Sequence, residues 1–247
     1  MRIHEQDINW YVGRLADKDY YSFAGYSDAE WYCILKERVG GTTAAGQVID
    51  AAHGERLMDI IRRRHKDKRF LFAVPKCLRG LPAFVNGEID WLLGREDIRM
   101  EAYERDMVTD TLAEQAGLFP FVDQIRSMPA VMIGNAGLRG MVSLLRLRHF
   151  VEISTPNLHL EPGGIERAVE QTLSYGEPGV YLVSAGVSAA VIIDMLHDKI
   201  KNSFFLDCGS IWDAFVRIGG QRAWRAELYA DKGRWNEWMR SNLRGPR

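Results

Sequence analysis

Short β-rich runs recur along the chain at Tyr21–Ala24, Phe70–Val74, Ala130–Ile133, Phe150–Ile153, Val180–Ser184 and Ser203–Leu206, and several are apolar on successive residues. A strand with one wet face alternates apolar and polar residues. A strand covered on both faces need not, so these runs predict buried strands. Between them, apolar positions recur at helical spacing, as over Glu55–Arg64, Ile165–Leu173 and Ser188–His197. Such alternation demands crossovers, which are right-handed, and predicts an α/β fold: a mainly parallel, twisted sheet flanked by helices. Two stretches break the rhythm. From about Leu78 to Gln124 no strand pattern is evident, and the region reads as a helical insertion forming part of the active-site wall. The C-terminal segment, about 217 to 247, reads as helical and packed outside the sheet. No repeat or low-complexity linker interrupts residues 1–247, so they read as a single α/β domain.

Composition narrows the function classes. With 47% hydrophobic and 26% charged residues the chain can bury a core, and a net charge of -1 excludes a general polyanion binder. Cys33, Cys77 and Cys208 are odd in number and far apart, the usage of a reduced, intracellular protein. Met1 to Asp7 lacks an apolar signal core and no apolar run is long enough to span a bilayer, so a soluble cytoplasmic protein is expected. The histidines show no metal-ligand spacing, and no Ser-His-Asp or Cys-His arrangement can be argued from spacing. His159, after Pro156-Asn157, either reaches the cleft or, as the spacing favours, is a lone surface histidine.

Ligands of open parallel sheets bind at the carboxyl ends of strands, so the candidate chemistry lies in the segment immediately after each strand. Tyr26-Ser27-Asp28-Ala29-Glu30 succeeds the first. Carboxylates two apart point the same way in extended backbone and suit Mg²⁺ or Mn²⁺ carrying a diphosphate. Ser27-x-x-Glu30 is equally a capping box opening the helix of Trp31, Ile34 and Leu35, and the motif by itself favours the cap. Geometry separates the readings: in regular helix the two carboxylates diverge by roughly 200° and cannot share one ion directly. Gly134–Gly140 reads first as a tight strand-to-helix turn, in which Arg139 offers a guanidinium to a phosphate. Ser184-Ala185-Gly186-Val187-Ser188 is either a phosphate- or ribose-binding turn with backbone amides and hydroxyls, or a plain βα connection with Ser188 near a cap. Asp207 ends a buried strand, where it would meet metal, ribose or an acceptor hydroxyl, or cap the following turn with Ser210. Beyond Arg217, arginines interleave with Trp224, Trp235 and Trp238, and Arg62-Arg63-Arg64-His65-Lys66 forms a second basic run. Such patches bind single-stranded nucleic acid by charge and stacking. The spacing favours tryptophans that pin a terminal helix and arginines in solvent.

The order of these motifs resembles that of the GT-D-type glycosyltransferases, whose fold is Rossmann-like. Phe23-Ala24-Gly25-Tyr26-Ser27-Asp28-Ala29-Glu30 is similar to their opening segment and retains its Asp-x-Glu signature. Thr155-Pro156-Asn157, Gly186-Val187-Ser188-Ala189 and Asp207-Cys208-Gly209-Ser210 resemble their later segments, so the likeness runs from about Tyr21 to Phe215. The resemblance implies sugar transfer from a nucleotide-sugar donor, a UDP-sugar or relative. It implies that Asp28 and Glu30 bind a divalent cation, Mn²⁺ or Mg²⁺, and the donor diphosphate. Asn157, Ser184 and Gly186 line the nucleotide pocket with Ser188, and Asp207 lies by the metal or acceptor. The acceptor is a hydroxyl on a glycan, a protein or a modified DNA base. Gly25 stands where the group has Arg, Ser27 and Ala29 replace two glycines, and Ser210 replaces His. These departures also admit a catalytically silent nucleotide-binding module.

Overall fold

The computed structural model describes all residues except 44, 76–79, 105–109, 155, 220–221 and 245–247. Its strands are β1 (Arg2–His4), β2 (Ser22–Gly25), β3 (Phe70–Val74), β4 (Glu101–Glu104), β5 (Ala130–Gly134), β6 (His149–Glu152), β7 (Val180–Val183) and β8 (Phe204–Asp207). They form one eight-stranded sheet in the order β1-β4-β3-β2-β8-β7-β5-β6, and every pairing is parallel. The predicted α/β class and mainly parallel sheet are therefore what the chain forms.

The central strands are dry on both sides, as their uninterrupted apolar runs require. Along β7, Tyr181 and Val183 face one layer, while Val180 and Leu182 face the other; β5 divides Val131 and Ile133 from Ala130 and Met132 in the same way. Burying each large apolar side chain contributes about 1.5–3 kcal/mol, so this double-sided core is the main driving force for the sheet. The first layer holds α2 (Asp28–Leu35), α3 (Ala51–Arg64), α5 (Glu88–Arg95), α9 (Gly164–Tyr175) and α10 (Ala189–His197), with the short α4 (Pro82–Val85) leading into α5. On the opposite face lie α1 (Ile8–Ala16), α7 (Phe119–Arg126), α8 (Met141–Leu145), α11 (Ala223–Ala230) and α12 (Lys232–Arg244), with α6 (Asp110–Glu114) preceding α7.

Two strands carry no apolar run. β4 lies inside the stretch expected to be helical, and β1 pairs beside it at the sheet edge. Glu101-Ala102-Tyr103-Glu104 is half charged, and Arg2–His4 is partly exposed. Neither is covered along its whole length, β1 at the edge and β4 beside it with Glu101 exposed, so neither carries a continuous apolar signal. The region from 78 to 124 thus contributes helices and a strand; Cys77 lies outside the described residues, whereas Cys33 and Cys208 are buried free thiols. Among the described residues no helix is long and apolar enough to cross a membrane.

Connectivity builds the ligand-side edge. From β7 the chain turns to the first layer through a 3₁₀ turn (Gly186–Ser188) into α10. From β5, its neighbour, it turns to the opposite layer through Ala136–Gly140 into α8. Neighbouring strands whose chains depart to opposite faces leave a crevice at their carboxyl ends. β2 and β8 repeat the arrangement, leading to α2 and to the 3₁₀ turn Ile211–Val216 respectively.

Candidate functional site

The helices α2 and α10 start on the same face, at strands separated by β8 alone. Two strand spacings put the carboxyl ends of β2 and β7 on the order of 10 Å apart, a span that a nucleoside diphosphate and its sugar can bridge. The segments after β2, β8 and β7 therefore front one crevice edge.

Asp28 and Glu30 occupy the first and third positions of α2, so the helical geometry applies and their carboxylates diverge. Glu30 is buried, and its Oε2 accepts the Ser27 amide at 2.7 Å while the Ser27 side chain accepts the amide of Glu30, a closed capping box. Asp28 is exposed. The two carboxylates do not fit direct chelation of one ion, and among the described residues no group of three or more His, Cys, Asp or Glu gathers around a common point. A single carboxylate does fit the way Mg²⁺ is often held, by one protein ligand, several waters and substrate phosphates. Asp28 meets that requirement, and Glu30 builds the helix start that presents it.

Asp207, 4% exposed, ties two strand ends together: Oδ2 accepts the Gly25 amide at 3.0 Å and Oδ1 accepts the Gly209 amide at 2.9 Å. This bridge runs through Gly25, where the resembling family carries arginine. Behind it, Arg225 of α11 is 2% exposed and donates to the Ser210 carbonyl at 2.7 Å, to Ser210 Oγ at 3.0 Å and to Asp213 at 3.2 Å. The loop after β8 is thereby fixed from both sides.

The turn after β7 holds the clearest ligand signature. Gly186 has φ +56° and is partly exposed. The Oγ atoms of Ser184 and Ser188 are buried and have no hydrogen-bond partner among the described residues. Ser184 packs beside Gly134 of β5, whose side-chain space is taken by Leu138. The 3₁₀ turn runs directly into α10, and the Ser188 and Ala189 amides donate to the Ala185 and Gly186 carbonyls.

Asn157 is engaged with the loop ahead of α3. Its Oδ1 accepts the Val48 amide at 2.8 Å and its Nδ2 donates to the Gly46 carbonyl at 3.2 Å. It holds a neighbouring loop in place, and that loop lies over Gly186. His159, expected at the surface, is half-buried: Nε2 donates to the Val48 carbonyl at 3.1 Å, and its ring lies 4.7 Å from that of His53. His53 Nε2 in turn donates to the Val187 carbonyl at 2.8 Å. Burial holds the His53 imidazole down at about 4 and lowers His159 as well. Neither Gln47 nor His53 carries a motif, so no sequence signal marked them; the tertiary fold alone brings them to the turn.

The remaining candidates stand apart. Arg139 is exposed and paired with Glu152, Nε to Oε2 at 2.9 Å, over the Phe150 ring. Arg63 and Arg64 share the buried carboxylate of Asp194, each at 2.8 Å, and Arg62 pairs with Glu96 and Asp59. In the C-terminal segment Trp235 donates to the Ala214 carbonyl, Trp238 to that of Ala113, and Arg217 lies over Tyr229 and Trp235. These aromatics pack the terminal helices onto the sheet. Thr155 lies outside the described residues.

A Ser-His-Asp chain not visible in the spacing occurs at the opposite edge of the sheet. Ser22 Oγ lies 2.6 Å from His197 Nδ1, and His197 Nε2 lies 3.0 Å from Asp67 Oδ2. Ser22 has no exposed surface and its amide already donates to the Arg69 carbonyl, so no substrate reaches the hydroxyl. The chain ties α10 to β2 and to the turn before β3.

Solved structures share this architecture. A glycosyltransferase of the DUF1792 group from Streptococcus sanguinis matches with a TM-score of 0.59 at 16% identity, over 93% of this chain and 85% of that one. A structure described as the conserved domain of unknown function 1792, with a distinct glycosyltransferase fold, gives 0.60 at 15% identity over 93% and 82%. A selenomethionine-substituted form of domain 1792 gives 0.56 at 14% identity with the same coverages of 93% and 82%. No protein-family model and no curated protein matches the chain. The fold is thus that of these glycosyltransferases.

Proposed function

We propose that this chain is a glycosyltransferase that takes a sugar from a nucleotide-sugar donor, a UDP-sugar, and passes it to a hydroxyl of a glycan or protein. The observation that carries the reading is the turn after β7. Two buried, unpartnered serine hydroxyls flank a glycine in the left-handed region along the chain, at a crevice of a sheet whose fold is shared with glycosyltransferases. Buried polar groups without partners cost about 1–3 kcal/mol each, a cost that a polar ligand removes. In this reading Gly186, which is partly exposed, and Ser184 meet the donor's nucleotide portion, while Ser188, with no exposed surface, does not touch it.

Asp28, exposed at the start of α2, is the carboxylate offered to a Mg²⁺ or Mn²⁺ ion bound with the diphosphate. Such a cation neutralises charge on a leaving nucleoside diphosphate. Asp207 is the carboxylate facing the β2–β8 crevice and the candidate base for the acceptor hydroxyl. The packed tryptophans and paired arginines of the C-terminal segment support a glycan or protein acceptor over DNA.

A thermal-shift panel of nucleotide sugars with and without Mn²⁺ tests the reading, because a ligand of the native state raises the melting temperature by mass action. One nucleoside diphosphate sugar is expected to stabilise the chain in the presence of metal, and Asp28→Ala is expected to abolish the metal-dependent part. Stabilisation by nucleotide with no release of UDP under any donor and metal would reduce the protein to a binding module.

A further inference from the structure

The glycine turn after β7 is covered by a side chain from elsewhere in the chain. A Cβ built on Gly186 would fall 2.2 Å from Gln47 Nε2 and 3.3 Å from Gln47 Cδ, so the Gln47 carboxamide lies directly over the Gly186 backbone. Its placement is built. Gly46 and Val48, on either side of it, are both fastened to Asn157, and the Val48 carbonyl also takes the His159 N–H. Pro156 packs against Gly46, 3.8 Å from the position its Cβ would take. A side chain flanked by two tied residues loses little entropy when a ligand fixes it.

The arrangement is electrostatically incomplete. The carboxamide lies over the 3₁₀ turn that leads into α10. Among the described residues the carboxamide makes no hydrogen bond, and the hydroxyls of Ser184 and Ser188 find no partner. A carboxamide and a hydroxyl that can each donate are satisfied together by a ligand with several acceptor oxygens placed between them.

We infer that Gln47 is a donor-binding residue, whose carboxamide closes over the turn Gly186–Ser188 and donates to a phosphoryl oxygen of a bound nucleoside diphosphate, with Asn157 as the residue that positions it. This inference rests on the donor reading above and adds to it the residue and the phosphoryl group it contacts. It explains why Gly186 cannot carry a side chain: a Cβ would displace the carboxamide.

Calorimetric titration of the full chain with UDP in Mg²⁺ buffer tests it, using Gln47→Met, which keeps length but removes the amide, and Gln47→Glu, which puts a carboxylate beside the phosphates. Both changes fall on a half-exposed loop position, and unchanged circular dichroism and melting temperature without ligand check that the fold is kept. UDP affinity is expected to fall at least threefold for Gln47→Met and at least tenfold further for Gln47→Glu. Variants that bind UDP as tightly as the parent, or a Glu variant no weaker than the Met variant, overturn the assignment while leaving the donor reading in place. A parent chain that binds neither UDP nor any UDP-sugar overturns the donor reading itself. If Gln47→Glu does not fold, the Met variant decides alone: unchanged UDP affinity rejects the role.

Discussion

At the residue scale, the carboxylate of Asp207 serves the fold before it serves any chemistry. Both oxygens accept backbone amides, Gly25 on one side and Gly209 on the other. Asp207→Ala leaves a buried amide unsatisfied, and a loss of about 1–3 kcal/mol in urea unfolding is expected. A second residue-scale consequence concerns pH. His53 stays neutral in the folded chain because burial lowers it from 6.5 to about 4. In the unfolded chain it takes up a proton first, so its contribution is intact above about pH 6.5 and is lost as pH falls towards about 4. The full window is worth roughly 3 kcal/mol, and the lowered His159 acts in the same sense. Urea midpoints measured between pH 7 and pH 4.5 are expected to fall, and His53→Gln to flatten the slope. Little of this was open to sequence reading: Asp207 was marked by its place at a strand end, but His53 by nothing. Its environment is made of Val187 and His159, more than a hundred positions away along the chain.

At the scale of elements, the site depends on where helices start. The start of α2 is set by local chemistry, the capping box of Ser27 and Glu30, which is why it could be recognised as a cap within four residues of sequence. That same local geometry turns Glu30 inward and leaves Asp28 as the outward carboxylate. The start of α10 is another matter. It acquires its cover from the loop ahead of α3, and Asn157 is the fastening. Asn157→Ala removes both hydrogen bonds to that loop. Faster hydrogen exchange at the Val48 amide is expected, with UDP binding weakened about threefold or more as Gln47 loses its fixed position. An unchanged Val48 exchange rate would mean that other contacts hold the loop.

For the whole molecule, the C-terminal helices are part of the core. Trp238, Leu228 and the Ile211–Phe215 turn belong to the apolar cluster on the second face of the sheet, and Arg225 reaches from α11 to the loop beside Asp207. Deleting residues 223–247 is therefore expected to give insoluble or molten protein, whereas an appended nucleic-acid arm would come off cleanly. Trp238→Ala is expected to cost about 3–5 kcal/mol, read as a lowered unfolding midpoint. With its tryptophans packed and Arg217 and Arg225 engaged in contacts, the segment is expected to give no salt-sensitive DNA binding in a mobility-shift assay.

By itself the sequence determined the layered plan. Five strands buried on both faces, β2, β3, β5, β7 and β8, announce themselves as mainly apolar runs, because such strands have no wet side to write a polar alternation. Helix caps and strand-end glycines were legible for the same reason: their physics is contained within a few adjacent residues. The tertiary structure alone decided β1, at one edge of the sheet, and its neighbour β4, whose polar residues pair by backbone hydrogen bonds that leave no side-chain pattern. It also decided which candidates meet. Asp207 and Gly25, Asn157 and Val48, Gln47 and Gly186 are brought together by strand order and crossover, and strand order is a property of how the layers pack, which no local stretch of chain encodes.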